Sequence, residues 1–334
     1  MSAMPDNTAL AHSRLELPAV VFLTDRKIYR VSGPGTDQFL QGQVSQSLDK
    51  VTAGHAPRAA ISTPKGRAYL LTRLVRDRED VLLSMPAAIA DGVTTQLNKY
   101  LMLFRGTVMT HLDTAELVGL LGRQAAVAVA GSPESLPAES NDSVAVEGGF
   151  LIRTTPAEDG TERFELWLPD GCPERLRAVL SGLRQASTDD WLATEIAAGI
   201  AELSPETQEA WVPQMLNWQH LEGIHFKKGC YTGQEVIARM HYLGQLKKSL
   251  FRLSAKTSEI PAPGTGILGT GKSVGEVVQA VGLDDGSVQL LAVLRHSAAG
   301  ETLTLAENGA ELTIRPLPYA VPERETEENS GPDT

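Results

Sequence analysis

The chain has 334 residues, of which 42% are hydrophobic and 21% charged, a composition typical of a soluble globular protein with two or three domains. A net charge of −11 argues against a surface built for nucleic acid, and we find neither an apolar run long enough to span a membrane nor a secretory leader. Two cysteines cannot build a disulfide framework, so we expect a protein of the reducing cytoplasm.

The first two thirds of the chain alternate between short strands and amphipathic helices, which predicts an α+β fold. Strands are predicted over residues 20–31 (a pair around a turn at 24–26), 58–61, 67–76, 81–85, 107–111, 117–121, 144–153 and 164–168. Helices are predicted after Thr36 or Asp37 and over residues 86–103, 125–129, 173–183 and 187–199.

The segment around Cys230 has the features of a reactive thiol. Thr232 and Glu235 form a capping-box pattern, which predicts a helix that begins just after the cysteine. The helix dipole and the nearby Lys227 and Lys228 would then stabilise a thiolate. A lone cysteine is nevertheless more often an inert, half-buried residue, so this pattern alone leaves both interpretations open.

Positive charge is concentrated around the same segment. Residues 226–252 hold six cationic residues and one acidic residue, a local charge of +5, which leaves −16 on the rest of the chain. Such a patch suits a small anion better than a polyanion. The alternative is a solvated face that only balances its neighbours.

From residue 246 onward, short alternating strands separated by Pro/Gly and Asp/Asn-Gly turns predict a small β-barrel. Its Gly266-Ile267-Leu268-Gly269-Thr270-Gly271-Lys272-Ser273 string satisfies the P-loop expression. A Pro/Gly loop precedes that string and β-branched residues follow it, so we expect a hairpin. Nucleotide binding is therefore only a remote alternative.

The string Lys228-Gly229-Cys230-Tyr231-Thr232-Gly233-Gln234-Glu235, followed by Ala238-Arg239, resembles the signature of the YgfZ family, the folate-binding relatives of the glycine-cleavage T-protein. Weaker likenesses occur at residues 39–43, 64–67, 212–214, 217 and 315–319, so the resemblance covers residues 17 to 319. It implies a T-protein-like body of two interwoven antiparallel-sheet-and-helix subdomains over residues 15–245, and a C-terminal β-barrel over 246–320. Residues 1–14 and 321–334 are predicted to be disordered.

The resemblance also implies a function. Family members are tetrahydrofolate-binding accessory proteins that support iron–sulfur clusters in other enzymes, including tRNA-modifying ones. The expected partners are folate or a one-carbon derivative and iron–sulfur client or assembly proteins, with neither nucleic acid nor membrane bound directly. Clusters generally need four ligands, so Cys230 would act transiently, across a dimer, or as a nucleophile.

The resemblance assigns roles to individual residues. Cys230 is the expected reactive thiol, with Lys228 beside it. Trp191 is the expected folate contact, because a pterin gains from stacking on an indole, although a tryptophan at this helical spacing is more often core. The other residues expected to bind the cofactor are Arg26, Lys65, Arg67, Gln214, Asn217, Tyr231, Gln234, Glu235 and Arg239.

Three features depart from the family pattern, and a fourth limits the site. T-protein relatives carry an aspartate shortly after the position of Gly66, where this chain has apolar residues 68–71, and this disfavours the alternative of aminomethyl transfer. Arg26 replaces an aromatic residue and could pair with the ligand's carboxylates. Ala197 replaces a glutamate, and the nearby Glu195 is a poor substitute for it. The spacing of His220, His225 and His241 suits no metal site.

Overall fold

The computed structural model describes residues 10–322, which form an α+β body followed by a β-barrel. The strands of the body are β1 (Ala19–Phe22), β2 (Arg26–Ser32), β3 (Arg58–Ser62), β4 (Ala68–Asp77), β5 (Asp80–Pro86), β6 (Val108–His111), β7 (Glu116–Leu121), β8 (Ser143–Val146), β9 (Gly149–Thr154), β10 (Arg163–Leu168) and β11 (Arg184–Gln185). Its helices are α1 (Thr36–Gln41), α2 (Ala87–Leu101), α3 (Arg123–Ala130), α4 (Glu174–Ser181), α5 (Thr188–Ala197) and α6 (Gln234–Tyr242). The predicted α+β class is confirmed, and most predicted elements lie within a few residues of the observed ones.

The body contains two sheets through which the chain passes in turn. One has the order β11-β1-β7-β10-β9-β8 and the other β3-β4-β5-β2-β6. The predicted pairing of the two strands within residues 20–31 is wrong, because β1 pairs with β7 and β2 pairs with β5 and β6 in the other sheet. The strand predicted over 144–153 is a hairpin, since Gly148 adopts a positive φ of 79° between β8 and β9.

The barrel strands are β12 (Lys248–Lys256), β13 (Gly266–Gly269), β14 (Lys272–Gly282), β15 (Ser287–Arg295), β16 (Leu303–Leu305) and β17 (Glu311–Arg315), closed in the order β12-β15-β14-β13-β16-β17. Successive side chains of a strand point to opposite faces. Accordingly, Val277 and Leu290 fill the barrel interior, while Val278 and Leu291 pack with Ile196 in the core between barrel and body. The barrel therefore buttresses the end of α5.

The P-loop-like string is the β13–β14 hairpin of this barrel. Thr270 and Gly271, at φ values of 45° and 79°, form its turn, and β14 continues directly from Lys272. The hairpin prediction is confirmed. A helix dipole aimed at phosphate, which a P-loop requires, is not formed by this segment.

The start of the described chain packs against both parts of the molecule. Ala11 is fully buried and its amide donates to the carbonyl of Gly282, while the amide of His12 donates to Asp190. Residues 11–13 are therefore packed rather than loose. Of the segments predicted to be disordered, residues 1–9 and 323–334 lie outside the described residues. No helix within residues 10–322 is both long enough and apolar enough to cross a bilayer.

Candidate functional site

A charged cavity lies between the two body sheets, α5 and the loop that follows α5, and we call it the central cavity. It is lined by Leu23, Arg26, Arg58, Leu71, Thr72, Arg73, Ser84, Leu117, Glu165, Trp191, Glu195, Ile200, Ala201, Glu202 and Trp218. The space inside it that the centre of a water molecule can reach is about 30 Å³. That is enough for roughly two waters, by the ~10–15 Å³ that one water needs, so side chains fill most of the cavity.

Arg73 and Glu165 form a saturated ion pair on one wall. Arg73 Nε lies 2.9 Å from a Glu165 oxygen, and Arg73 Nη1 donates to the Ala56 carbonyl and to Asn141 Oδ1. Trp167 Nε1 also donates to Glu165, at 3.0 Å. Burial would raise the pKa of Glu165, but Arg73 and Arg58 outweigh it and lower that pKa to about 2, so the carboxylate is ionised.

Arg163 and Glu195 form a second pair beneath Trp191. The Arg163 guanidinium donates to Glu195, to the hydroxyl of Thr194 and to a backbone carbonyl, and its carbon lies 4.3 Å from the centroid of the Trp191 ring. Trp191 is 4% exposed and packs on Gly119, where a Cβ atom would approach to 2.4 Å from the ring. Helical spacing places Trp191 and Glu195 on one face of α5, and both line the cavity.

Arg26 and Glu202 form the third pair, and their side chains are more exposed to solvent than those of the other two pairs. Burial raises the pKa of Glu202 to about 6, against the opposing effect of Arg26. Burial acts to lower the pKa of Arg26, but Glu202 and neighbouring carboxylates raise it above its ordinary value. Arg26 therefore lines the predicted site, but its charge is already paired within the protein.

Arg58 also lines the cavity, and sequence reasoning missed it. Its closest carboxylate oxygen is on Glu165 at 4.0 Å, and its firm hydrogen bond is to the Thr154 hydroxyl at 2.6 Å. Burial and the neighbouring Arg73 lower the pKa of Arg58 to about 9. Arg58 is therefore a buried cation, and its Nε–H group has no hydrogen-bond acceptor among the described residues.

Residues 226–235, which we call the Cys230 segment, lie outside the lining of the central cavity. Cys230 is exposed on the loop before α6, whereas Lys228 is buried. The predicted capping box is wrong: Gly233 is the N-cap residue of α6, with a φ of 83°, and it makes no side-chain cap. The amide of Thr232 donates instead to the carbonyl of Gly42, at 3.0 Å.

The Lys228 ammonium is enclosed by backbone. It donates to the carbonyls of Gln41, Val44 and Gln46 at 2.6–2.8 Å, and it lies 4.8 Å from the centroid of the Tyr231 ring. Burial lowers the pKa of Lys228 to about 7, but three acceptors can be filled only by the protonated amine. Lys228 thus fastens the Cys230 segment to the loop after α1.

The turn between β3 and β4 packs directly on the start of α6. A Cβ atom on Gly66 would meet Val236 at 2.8 Å, and one on Gly233 would meet the Thr63 carbonyl at 2.6 Å. This contact brings the exposed Lys65 and Arg67 to the same region as the Cys230 segment. The two glycines allow it, because each has a positive φ and no side chain.

The remaining predicted residues are placed around α6 and the barrel. Gln214 donates to the carbonyl of Ile237, and Asn217 bonds both the carbonyl and the amide of Leu250, so both tie the body to its neighbours. Gln234 accepts from the Tyr231 amide, while Glu235 and Arg239 are exposed on α6. Of the predicted cofactor residues, the described structure puts only Arg26 and Trp191 in the cavity lining.

Cys172 is half-buried, and burial raises the pKa of its thiol. Among residues 10–322, no group of three or more His, Cys, Asp and Glu side chains is arranged to hold a metal ion.

The comparisons with known proteins establish the fold. No family model matches the chain. The structure is similar to the glycine cleavage system aminomethyltransferase T from Bartonella henselae, with a TM-score of 0.72 and 18% identity, over 93% of this chain and 87% of that one. The chain therefore has a T-protein-like fold. A heterotetrameric sarcosine oxidase from Corynebacterium sp. U-96 is matched over 44% of this chain and 73% of that one, at 15% identity and a TM-score of 0.29, which is too low to bear on fold or function.

Proposed function

We propose that this protein is a tetrahydrofolate-binding accessory protein of the YgfZ type, which supports iron–sulfur clusters in other enzymes, including tRNA-modifying ones. The observation that carries the proposal is a T-protein-like fold whose centre holds a charged, tryptophan-lined cavity, combined with an exposed cysteine in a YgfZ-like string. On this proposal the protein works in the cytoplasm with folate and iron–sulfur client or assembly proteins.

The chemistry of the cavity suits a pterin. Glu195 and Glu202 supply carboxylates that can accept from ring N–H groups, while Arg58 and Trp218 supply donors for a ring carbonyl. The volume of the cavity is too small for a pterin in this conformation, because it holds only about two waters. Binding therefore requires the partly exposed Arg26–Glu202 pair to separate and open the cavity.

Cys230 would supply the chemistry outside the cavity. An exposed thiol is accessible to a second protein, whereas a single cysteine cannot complete a cluster. On this proposal Cys230 acts on a client thiol, on a transient cluster or on a folate-borne carbon unit. The Lys228 ammonium donates all of its hydrogen bonds to backbone carbonyls and so holds the loop of Cys230 in place. Lys228 therefore acts as a positioning residue.

The folate part is tested by calorimetric titration with tetrahydrofolate. Trp191→Phe should weaken binding, while Trp211→Phe, a buried tryptophan outside the cavity lining, should leave it unchanged. Equal affinity in both variants would remove Trp191 from the site. The thiol part is tested by rescue of a strain with deficient cluster enzymes: Cys230→Ala should fail where Cys172→Ala succeeds, and full rescue by both would exclude Cys230.

The alternative function is folate-dependent aminomethyl transfer, which the likeness to an aminomethyltransferase favours at the level of fold. Against it, residues 68–71 are an apolar and buried part of β4, with no carboxylate at that position. Tetrahydrofolate-dependent release of ammonia from a protein-bound aminomethyl donor would support this alternative and displace the accessory role.

A further inference from the structure

The charges of the central cavity do not balance. Four arginines and three glutamates line it or pair beside it, and three of the arginines each have a glutamate partner: Arg26 with Glu202, Arg73 with Glu165 and Arg163 with Glu195. Arg58 is the cation left over. A buried charge without its own counter-ion is costly, and natural proteins retain one where something else compensates for it.

Glu165 cannot serve as that counter-ion for Arg58. It already accepts two bonds from Arg73 and one from Trp167, while the closest approach of Arg58 is 4.0 Å. Arg58 also shares the Thr154 hydroxyl with Arg73, so the two guanidiniums lie side by side. Glu165 thus neutralises Arg73 and leaves the charge of Arg58 without a carboxylate of its own.

Two hydrogen-bond donors of the cavity lining have no partner among the described residues. They are Nε of Arg58 and Nε1 of Trp218, and both atoms are fully buried. Arg58 is 5% exposed and Trp218 1%, and the guanidinium carbon lies 5.7 Å from the centroid of the Trp218 ring. The cation and the two unfilled donors therefore belong to residues that line one cavity.

We propose that Arg58 and Trp218 form a binding site for a single carboxylate-sized oxyanion at the inner end of the central cavity. The oxyanion would supply the missing negative charge and accept from both donors, and the space for about two waters fits a group the size of formate. The inference rests on the proposed function for the identity of the natural ligand. The anion site itself rests on the charge count.

The probe is sodium formate, added to the full chain at constant ionic strength with sodium gluconate, whose anion is too large for the cavity. Tryptophan fluorescence should change saturably with formate. The thermal midpoint should keep rising with the logarithm of the formate concentration above Kd, because a ligand that binds only the folded state stabilises it. Arg58→Gln should weaken the apparent formate affinity at least about tenfold, and Trp218→Phe several-fold, as expected for the loss of hydrogen bonds to a charged group. Arg184→Gln, at a surface pair with Glu16, should leave the affinity unchanged.

A formate response that is absent in the wild type, or unchanged in Trp218→Phe and Arg58→Gln, would overturn the site. If Arg58→Gln does not fold, Trp218→Phe still decides, since it keeps an aromatic side chain and removes the indole N–H donor. Tetrahydrofolate then separates the possible sources. Competition with formate means that tetrahydrofolate uses the same donors, through its ring carbonyl or its own carboxylate, and joint binding means that a free small acid occupies the site. Formate binding without any tetrahydrofolate binding would refute the proposed function and leave the anion site standing.

Discussion

The central cavity and the Cys230 segment use charge in opposite ways. In the cavity, arginines and glutamates are buried in pairs, and each pair spans elements far apart in the chain, as Arg73 on β4 and Glu165 on β10 do. In the Cys230 segment the cation Lys228 is buried against backbone carbonyls, and the thiol next to it faces solvent. Changes in the cavity should therefore cost stability, and changes at the thiol should cost activity alone.

The largest expected effect is that of breaking the Arg73–Glu165 pair. Glu165→Gln leaves the buried Arg73 without its carboxylate partner, which should lower the free energy of unfolding by about 3–5 kcal/mol. Urea unfolding followed by circular dichroism measures it. Glu147→Gln, which removes the carboxylate of an exposed pair with Arg175, is the control and should change the free energy by less than about 0.5 kcal/mol. Similar values for the two variants would mean that the cavity tolerates unpaired charge.

The second effect concerns Lys228. Lys228→Met keeps the length of the side chain and leaves three carbonyls without a donor, so unfolding should become easier by roughly 3 kcal/mol. Lys227→Met, at the exposed neighbour, should be close to neutral. Should Lys228→Met prove as stable as the wild type while Cys230 loses reactivity, the ammonium would serve the thiol and not the backbone.

The third effect is a pH dependence from Glu202. Its pKa is raised from 4.5 to about 6, so its protonated form is favoured in the fold. The stability that it contributes is fully present below pH 4.5 and is lost as pH rises through about 6, an amount on the order of 1–2 kcal/mol. The difference in unfolding free energy between wild type and Glu202→Gln, measured from pH 4 to pH 8, should change by that amount across this window. A flat difference would mean that Arg26 holds the carboxylate ionised throughout.

Sequence patterns located the barrel, the hairpin that mimics a P-loop and the exposed thiol, because each depends on neighbouring residues. The cavity depends on contacts between distant strands. Arg26 was predicted from the resemblance, but Arg58, Arg73 and Arg163 were missed, although a signal was present for two of them. Arg73 interrupts an apolar run in β4, and Arg163 and Glu165 share one face of β10, a buried strand. Charged residues at inward positions of a strand are rare unless they are paired, so these residues could have been sought as partners.

The predicted capping box is wrong because α6 begins one residue later than the pattern implies. Thr232 and Glu235 have the right spacing, but Gly233 adopts a left-handed conformation and takes the N-cap position itself. The close packing of Gly66 against Val236 fixes this start, and that contact joins residues that lie 170 positions apart in the chain. A pattern read along eight residues cannot contain it.

The smallest expected effect on stability is that of Cys230 itself. Because the side chain is exposed, Cys230→Ala should change the free energy of unfolding by less than about 0.5 kcal/mol. The same variant should remove the fast phase of reaction with a disulfide reagent such as 5,5′-dithiobis(2-nitrobenzoate), whereas Cys172→Ala should retain it, since Cys172 is half-buried and its thiol pKa is raised. If Cys172→Ala instead removed the fast phase, the accessible thiol would be the other one. A stable Cys230→Ala protein that still binds tetrahydrofolate but fails to rescue would separate the chemistry of the thiol from that of the cavity.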